Sequence, residues 1–249
     1  METASKDVLF TIAMDLDLPS LLRWCASTAR VQRDICKNDN VWRAKLLKDF
    51  PDGYPNYQAF NLNKSLRETY VFLYQLSLIK KLLNTEESLY DIFQRKEMLL
   101  AGKNLRKVPA FDLPNLETLS LSTNPLTQVP TFNLPNLRQL YLFSNSLTQV
   151  PNFHLPNLQL LHLGNNKLQN VPTFHLPNLK EFYLSDNQLT ELPVFSLPKL
   201  EKFYLGYNRL KDVPDFNFPK LQIFSLVSNP LTEMAKIKLK NKYQNKMYL

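Results

Sequence analysis

A unit of 21 residues recurs along the second half of this chain, and nothing else in its 249 residues limits the fold as tightly. Leu-Pro or Phe-Pro pairs begin at Leu113, Leu134, Leu155, Leu176, Leu197 and Phe218. Each is followed by the same apolar column and an asparagine: Leu116, Leu119, Leu121, Asn124 and Leu126 in one unit, Leu137, Leu140, Leu142, Asn145 and Leu147 in the next. Phe182, Phe203 and Phe224 replace the middle leucine in the last three units. A weaker unit precedes them (Met98, Leu100, Leu105, Val108), with Lys103 where the others carry asparagine. Alternating Leu-x-Leu is the pattern of a short strand with one buried face. A unit this short cannot bury that face alone, so successive units must stack into a parallel sheet. The asparagine, with its two donors and an acceptor, suits an inward turn where bending leaves backbone groups unpaired. A second column, Val129, Pro130, Phe132 and Leu134 in one unit, returns the chain along the outer side. Two prolines in that return favour extended or turn-like backbone over helix.

The columns also explain the composition. The chain has 4 glycines and 17 prolines, where average use would supply about 17 and 12. Twelve of the prolines fall in the two repeat columns that begin at Pro109 and Pro114. Scarce glycine argues against phosphate-cradling loops, which need backbone free to take positive φ. Cys25 and Cys36 make neither a disulfide scaffold nor a four-ligand metal site, and they are expected to be buried reduced thiols in a reducing compartment. The start, Met1 to Asp7, shows no secretory pattern, and Thr69 to Ile79 is too short to span a bilayer. An intracellular, cytoplasmic protein is expected.

The repeat resembles the leucine-rich repeat, whose period range includes 21 residues. That resemblance implies a curved solenoid with a thin convex side, in which the residues between inward leucines face the concave side. The central concave column reads Leu99, Ser120, Tyr141, His162, Tyr183, Tyr204 and Ser225, with Gln139, Phe143, Glu181, Lys202 and Tyr207 adjoining. Tyrosines bury area at low entropy cost and are enriched in binding hot spots. Tyr141, Phe143, His162, Tyr183, Tyr204 and Tyr207 are therefore the candidate partner-binding residues, and cross-strand stacking that only stabilises the sheet is the competing explanation.

Upstream, residues 1–97 lack the period and read as helices: one near Asp7 to Ala13, another from Pro19 to Ala29, a third from Asp39, a longer one from Ser65 to Leu83, and one starting at Thr85. Tyr54 to Asn63 is aromatic and loop-like. Asp7 to Phe50 resembles an F-box, through Val8-Leu9-Phe10, Ile12-Ala13, Leu16, Leu18-Pro19, Leu21-Leu22, Cys25-Ala26, Val31 and Asn40-Val41-Trp42. Where that family opens with Leu-Pro, this chain has Ser5-Lys6. The run from Trp42 to Pro51 is similar in style to F-box proteins encoded by large DNA viruses of amoebae, with the host cytoplasm as the implied location. The resemblance implies docking of a Skp-type adaptor of a cullin-based ubiquitin ligase through Leu9, Ile12, Leu16, Leu18 and Leu21, with an unknown target on the repeats. A helical cap over the first repeat, in a structural or virion-associated protein with no ligase engagement, is the alternative.

The expected fold is thus α+β: an F-box-like helical domain over 1–50, linking helices and cap over 51–97, repeats over 98–234 and a basic C-terminal cap over 235–249. No catalytic constellation appears among His154, His162, His175 and the scattered carboxylates, so no enzyme, cofactor or metal is expected. The net charge of +8 is concentrated at the end. Residues 235–249 carry five lysines and no acid, read as the solvated face of a cap with Ile237, Leu239 and Tyr243 packed inward. A monomer is expected, with no membrane contact and nucleic acid only a weak second possibility.

Overall fold

Side-chain caps set the helices of the N-terminal half. A computed structural model describes residues 4–249 apart from Gly53, Pro55, Asn56, Asn61 and the side chains of Gln58 and Ala59. The expectations placed on Met1–Thr3 and on part of the Tyr54–Asn63 loop therefore lie outside the described residues. The chain divides into two units, Met1–Phe93 and Gln94–Leu249.

In the first unit α1 (Lys6–Asp15) starts at Ser5, whose hydroxyl accepts from the Val8 amide, and α2 (Leu18–Cys25) starts at Asp17, which accepts from the Ser20 amide with Pro19 in the first turn. These oxygens meet amides that the first helical turn leaves unpaired. A short α3 (Ala29–Val31) runs into a π-helical turn (Gln32–Cys36), followed by α4 (Asp39–Asp49), a 3-10 turn (Tyr57–Phe60), α5 (Leu66–Leu83) and α6 (Leu89–Gln94). A capping box between Ser65 and Glu68 opens α5, and Asn84 at φ 50° closes it. Two expectations are corrected here. The helix from Pro19 ends at Cys25, four residues early, and the last helix begins after Ser88, where the Ser88 hydroxyl accepts from the Asp91 amide at 3.1 Å.

Leu9, Leu18, Leu21, Val41, Trp42, Leu46, Tyr70 and Leu73 form the core of this unit, none more than 5% exposed. The Trp42 indole donates to the Cys36 carbonyl at 2.9 Å. Lys45 is buried as well. Its ammonium meets Asp49 at 3.0 Å and the Met14 carbonyl at 3.3 Å, and the Tyr70 hydroxyl donates to the same carboxylate at 2.5 Å. Cys25 and Cys36 are joined in a disulfide, with Cα atoms 5.9 Å apart. This corrects the expectation of two reduced thiols. The end of α2 and the π-helical turn bring the residues within bridging reach, which their separation in sequence did not disclose.

The second unit is one parallel sheet in sequential order: β1 (Glu97–Leu99), β2 (Thr118–Ser120), β3 (Gln139–Tyr141), β4 (Leu160–His162), β5 (Glu181–Tyr183), β6 (Lys202–Tyr204), β7 (Ile223–Ser225) and β8 (Met247–Tyr248). The central residue of each of the first seven strands, Met98 through Phe224, is fully buried. Each asparagine does what its position demands. The Asn166 amide donates to the carbonyls of Leu142, Leu163 and Gly164 at 3.0–3.2 Å, and its oxygen accepts from the Leu147 amide at 3.1 Å. The Leu-Pro column forms turns, the amide of Leu158 donating to the Leu155 carbonyl at 3.1 Å, with proline at the position where its fixed φ fits. The return segments of the repeats contain no helix among the described residues. Behind the strands, Phe111, Phe132, Phe153, Phe174, Phe195 and Phe216 form a buried column with successive centroids 5.6–6.4 Å apart.

Helix α7 (Glu233–Tyr243) closes the stack. Ala235, Leu239 and Tyr243 are buried, and the Tyr243 hydroxyl donates to the Phe216 carbonyl at 3.0 Å. Ile237 does not pack inward as expected but is 54% exposed, because it lies on the helix face opposite Leu239 and Tyr243. Among the described residues, no helix is long and apolar enough to cross a membrane.

Candidate protein-binding face

In a parallel sheet in register, residues at matching positions form rows one strand apart. The row that starts at Leu99 continues through Ser120, Tyr141, His162, Tyr183, Tyr204, Ser225 and Tyr248. Because the middle residue of each strand points into the core, this row stands on the opposite, solvent-facing side.

Three side chains of this row, His162, Tyr183 and Tyr204, form a stack, and Phe143 from the adjoining column leans on its end at 44°. Phe143 and His162 have centroids 4.7 Å apart, His162 and Tyr183 4.7 Å, and Tyr183 and Tyr204 4.8 Å, the last pair only 5° from parallel. His162 fits because Gly164 lies beside it: a Cβ at Gly164 would stand 3.0 Å from the imidazole Cε1. The His162 Nδ1 accepts from the Gly164 amide at 3.3 Å, which places the proton of the neutral ring on Nε2. Burial pulls the His162 pKa below its ordinary value, so the ring is neutral near pH 7.

A polar network locks the middle of the stack. The Tyr183 hydroxyl donates to Glu181 at 2.6 Å, and the other oxygen of that carboxylate pairs with Lys202 at 2.9 Å. Burial and then Glu181 push the Tyr183 hydroxyl well above the usual tyrosine range, so it stays a donor. Burial alone would raise the Glu181 carboxyl, but the hydrogen bonds from Tyr183 and Lys202 outweigh it and hold that group below its ordinary value. Tyr141 donates to Gln139 at 3.1 Å.

Tyr207 is placed differently from the other nominated aromatics. It occupies the turn position held in other repeats by Thr123, Ser144, Asn165, Asp186 and Ser228, all at φ between 52° and 58°, and it shares that left-handed backbone at φ 56°. It is 59% exposed. Sequence reasoning found every member of the face except Tyr248, which lies two residues beyond the position that the 21-residue period points to, Lys246.

The residues nominated for adaptor docking separate into two groups. Leu9, Leu18 and Leu21 are core side chains, at most 5% exposed, and are corrected from contacts to packing residues. Ile12 and Leu16 are half-buried; Ile12 lies on one side of α1 with Val8, which is 50% exposed, and Leu16 is the C-cap of that helix. The helical unit also has a cleft of about 1120 Å³, bordered by Leu16, Phe50, Tyr74 and Tyr90. His154 and His175 are exposed, and no cluster of three metal-ligating side chains occurs among the described residues.

A parallel sheet stacked in sequence order, with an asparagine in each of the six turns from Asn124 to Asn229, is similar to the architecture of leucine-rich repeats. The model of the family described as Leucine Rich repeats (2 copies) matches residues 135–174 and 177–217. Among solved structures, YopM from Yersinia enterocolitica is 27% identical at a TM-score of 0.54, over 67% of this chain and 38% of that one, so the chain spans well under half of this relative. The Shigella effector LRR domain is 23% identical with a TM-score of 0.48, covering 81% of this chain and 96% of that domain. Human 5T4, trophoblast glycoprotein, is 23% identical with a TM-score of 0.45, over 61% and 77% of the two chains. No curated protein sequence matches the chain significantly. Leucine-rich repeats over that part of the chain are consistent with a protein–protein interaction module.

Proposed function

We propose that the protein recognises a target protein through the aromatic row of its sheet, and that it serves as the substrate-recognition subunit of a cullin-type ubiquitin ligase. The observation that carries the recognition reading is the stack from His162 to Tyr204, solvent-facing aromatic area held rigid by Glu181 and Lys202. Preorganised tyrosines need little further ordering when a partner arrives. The core of the solenoid is already complete behind them, so they are not needed to fill it.

The ligase role rests on the resemblance of Asp7 to Phe50 to an F-box. Its available contact stripe is Val8 and Ile12 on α1, four residues apart and therefore on neighbouring turns of one face, with Leu16 at the C-cap of that helix. This reading requires the cytoplasm and a Skp-type adaptor as partner. It makes the chain a non-enzymatic scaffold without a cofactor. Co-purification with the adaptor tests it. Wild type should retain the adaptor and Val8→Asp with Ile12→Asp should lose it, whereas a wild-type protein that recovers no adaptor ends the ligase reading. Alanine at Tyr141, His162, Tyr183 and Tyr204 together should abolish target capture with the fold intact.

One observation favours a second reading, a structural or virion-associated binding protein without ligase engagement. The disulfide between Cys25 and Cys36 suits an oxidising environment. Thiol trapping in intact cells separates the two, because the ligase reading expects both sulfurs reduced there.

A further inference from the structure

We propose that the binding face holds a slot for a single aromatic side chain, between Tyr204 and Tyr248 above Ser225, and that the partner segment supplying it is acidic. This rests on the reading of the sheet face as a protein-binding surface and specifies what it binds.

The geometry comes from an interruption in the stack. The rings of His162, Tyr183 and Tyr204 repeat at 4.7–4.8 Å, the step between neighbouring strands (about 4.8 Å). Tyr204 has one face against Tyr183 on β5, so its other face is turned toward β7. There the register supplies Ser225, whose single hydroxyl cannot cover a ring. One strand further on, the row becomes aromatic again at Tyr248, which pairs with Ser225 and is 57% exposed. Two tyrosines thus stand two strand steps apart, roughly 10 Å, with a serine floor between them, and one inserted ring would restore the stacking distance on both sides. Tyr207 is exposed on the turn that follows β6, beside the same end of the row.

Charge selects among planar side chains. Arg could stack as well as Trp, Tyr or Phe. Residues 202–249 carry nine Lys or Arg and three Asp or Glu. Five of those lysines lie on or after α7 and Lys202 is paired with Glu181, so the surplus acts as a long-range field, one that disfavours a guanidinium and draws in carboxylates flanking a neutral ring.

The test uses the full chain and three blocked, fluorescein-labelled heptapeptides of acidic sequence, identical except for Trp, Leu or Arg at the centre. Anisotropy should show the Trp peptide binding at least tenfold tighter than either other peptide, with amide shifts centred on Ser225 and Tyr248. Ser225→Tyr fills the slot with a residue that the row already carries elsewhere, and should abolish the preference. Ser225→Ala should keep it. Tyr248→Ala, on an exposed edge strand, removes one wall and should also abolish it. Equal binding of the three peptides, stronger binding of the Arg peptide, no binding of any, or a preference that survives both Ser225→Tyr and Tyr248→Ala overturns the slot. Equal binding that is lost on alanine substitution of Tyr141, His162, Tyr183 and Tyr204 would leave the face a binding surface without a slot. Binding indifferent to that fourfold variant would remove the face reading as well.

Discussion

At the scale of single residues, the asparagines and the left-handed turn positions are where the repeat stores its specificity. Asn166 satisfies three carbonyls and one amide at a bend spanning two neighbouring turns of the solenoid. Asn166→Ala leaves those buried groups unpaired and should cost roughly 2–4 kcal/mol in denaturant unfolding. Tyr207 is the reverse case, since a tyrosine at φ 56° is held against its own preference. Tyr207→Asn, a residue that tolerates this backbone, should gain about 1 kcal/mol in the same measurement while weakening target binding. His162 makes the fold pH-dependent. Its folded pKa lies below the ordinary 6.5, so the unfolded chain takes up the proton first. The associated stability is fully present above that value and is lost as pH falls below it, until the folded pKa is passed. Melting curves from pH 7 to 5 should fall more steeply for wild type than for His162→Gln.

At the scale of elements, the repeat was fully legible in the sequence and the helices only in part. Leu-x-Leu, Leu-Pro and the asparagine column each report one local requirement, a buried strand face, a proline turn and a satisfied bend, and repetition removes the ambiguity that a single copy would leave. The helical unit has no repetition to correct errors. Its α2 stops at Cys25 because the chain must turn into the π-helical segment that carries Cys36, and nothing periodic marks that turn. The disulfide joins residues 11 apart. Closing a loop of that size restricts the unfolded chain, so Cys25→Ser with Cys36→Ser should destabilise the helical unit by about 2–3 kcal/mol. Hydrogen exchange should show the loss in α1, α2 and α4, with the strands of the repeat unchanged. The division of the apolar residues of α1 into core and exposed needed the same tertiary information. Leu9 and Val8 are adjacent and equally apolar in sequence, yet one is core and the other is 50% exposed.

At the scale of the whole molecule, a solenoid is only as stable as its ends. The last repeat would expose Phe224 and the backbone edge of β7 if it ended the chain. Instead β8 pairs with that edge, and Tyr243 lies edge-on to Phe224 at 5.1 Å. Deleting residues 233–249 should uncover both and produce oligomers, detected as a rise in mass by light scattering. The lysines of α7 lie on the solvated face of that cap, partly paired as Lys236 with Glu233 at 2.6 Å and Lys242 with Asp215.

The sequence by itself determined the period, the buried columns, the thin return and nearly all of the aromatic row, because each is set by chemistry repeated within 21 residues. Only the tertiary structure decided that Cys25 meets Cys36, that Leu9, Leu18 and Leu21 are core, and that Tyr248 rejoins the row two residues out of period. Those outcomes depend on how separate segments pack and pair, and a contact made once leaves no period to read.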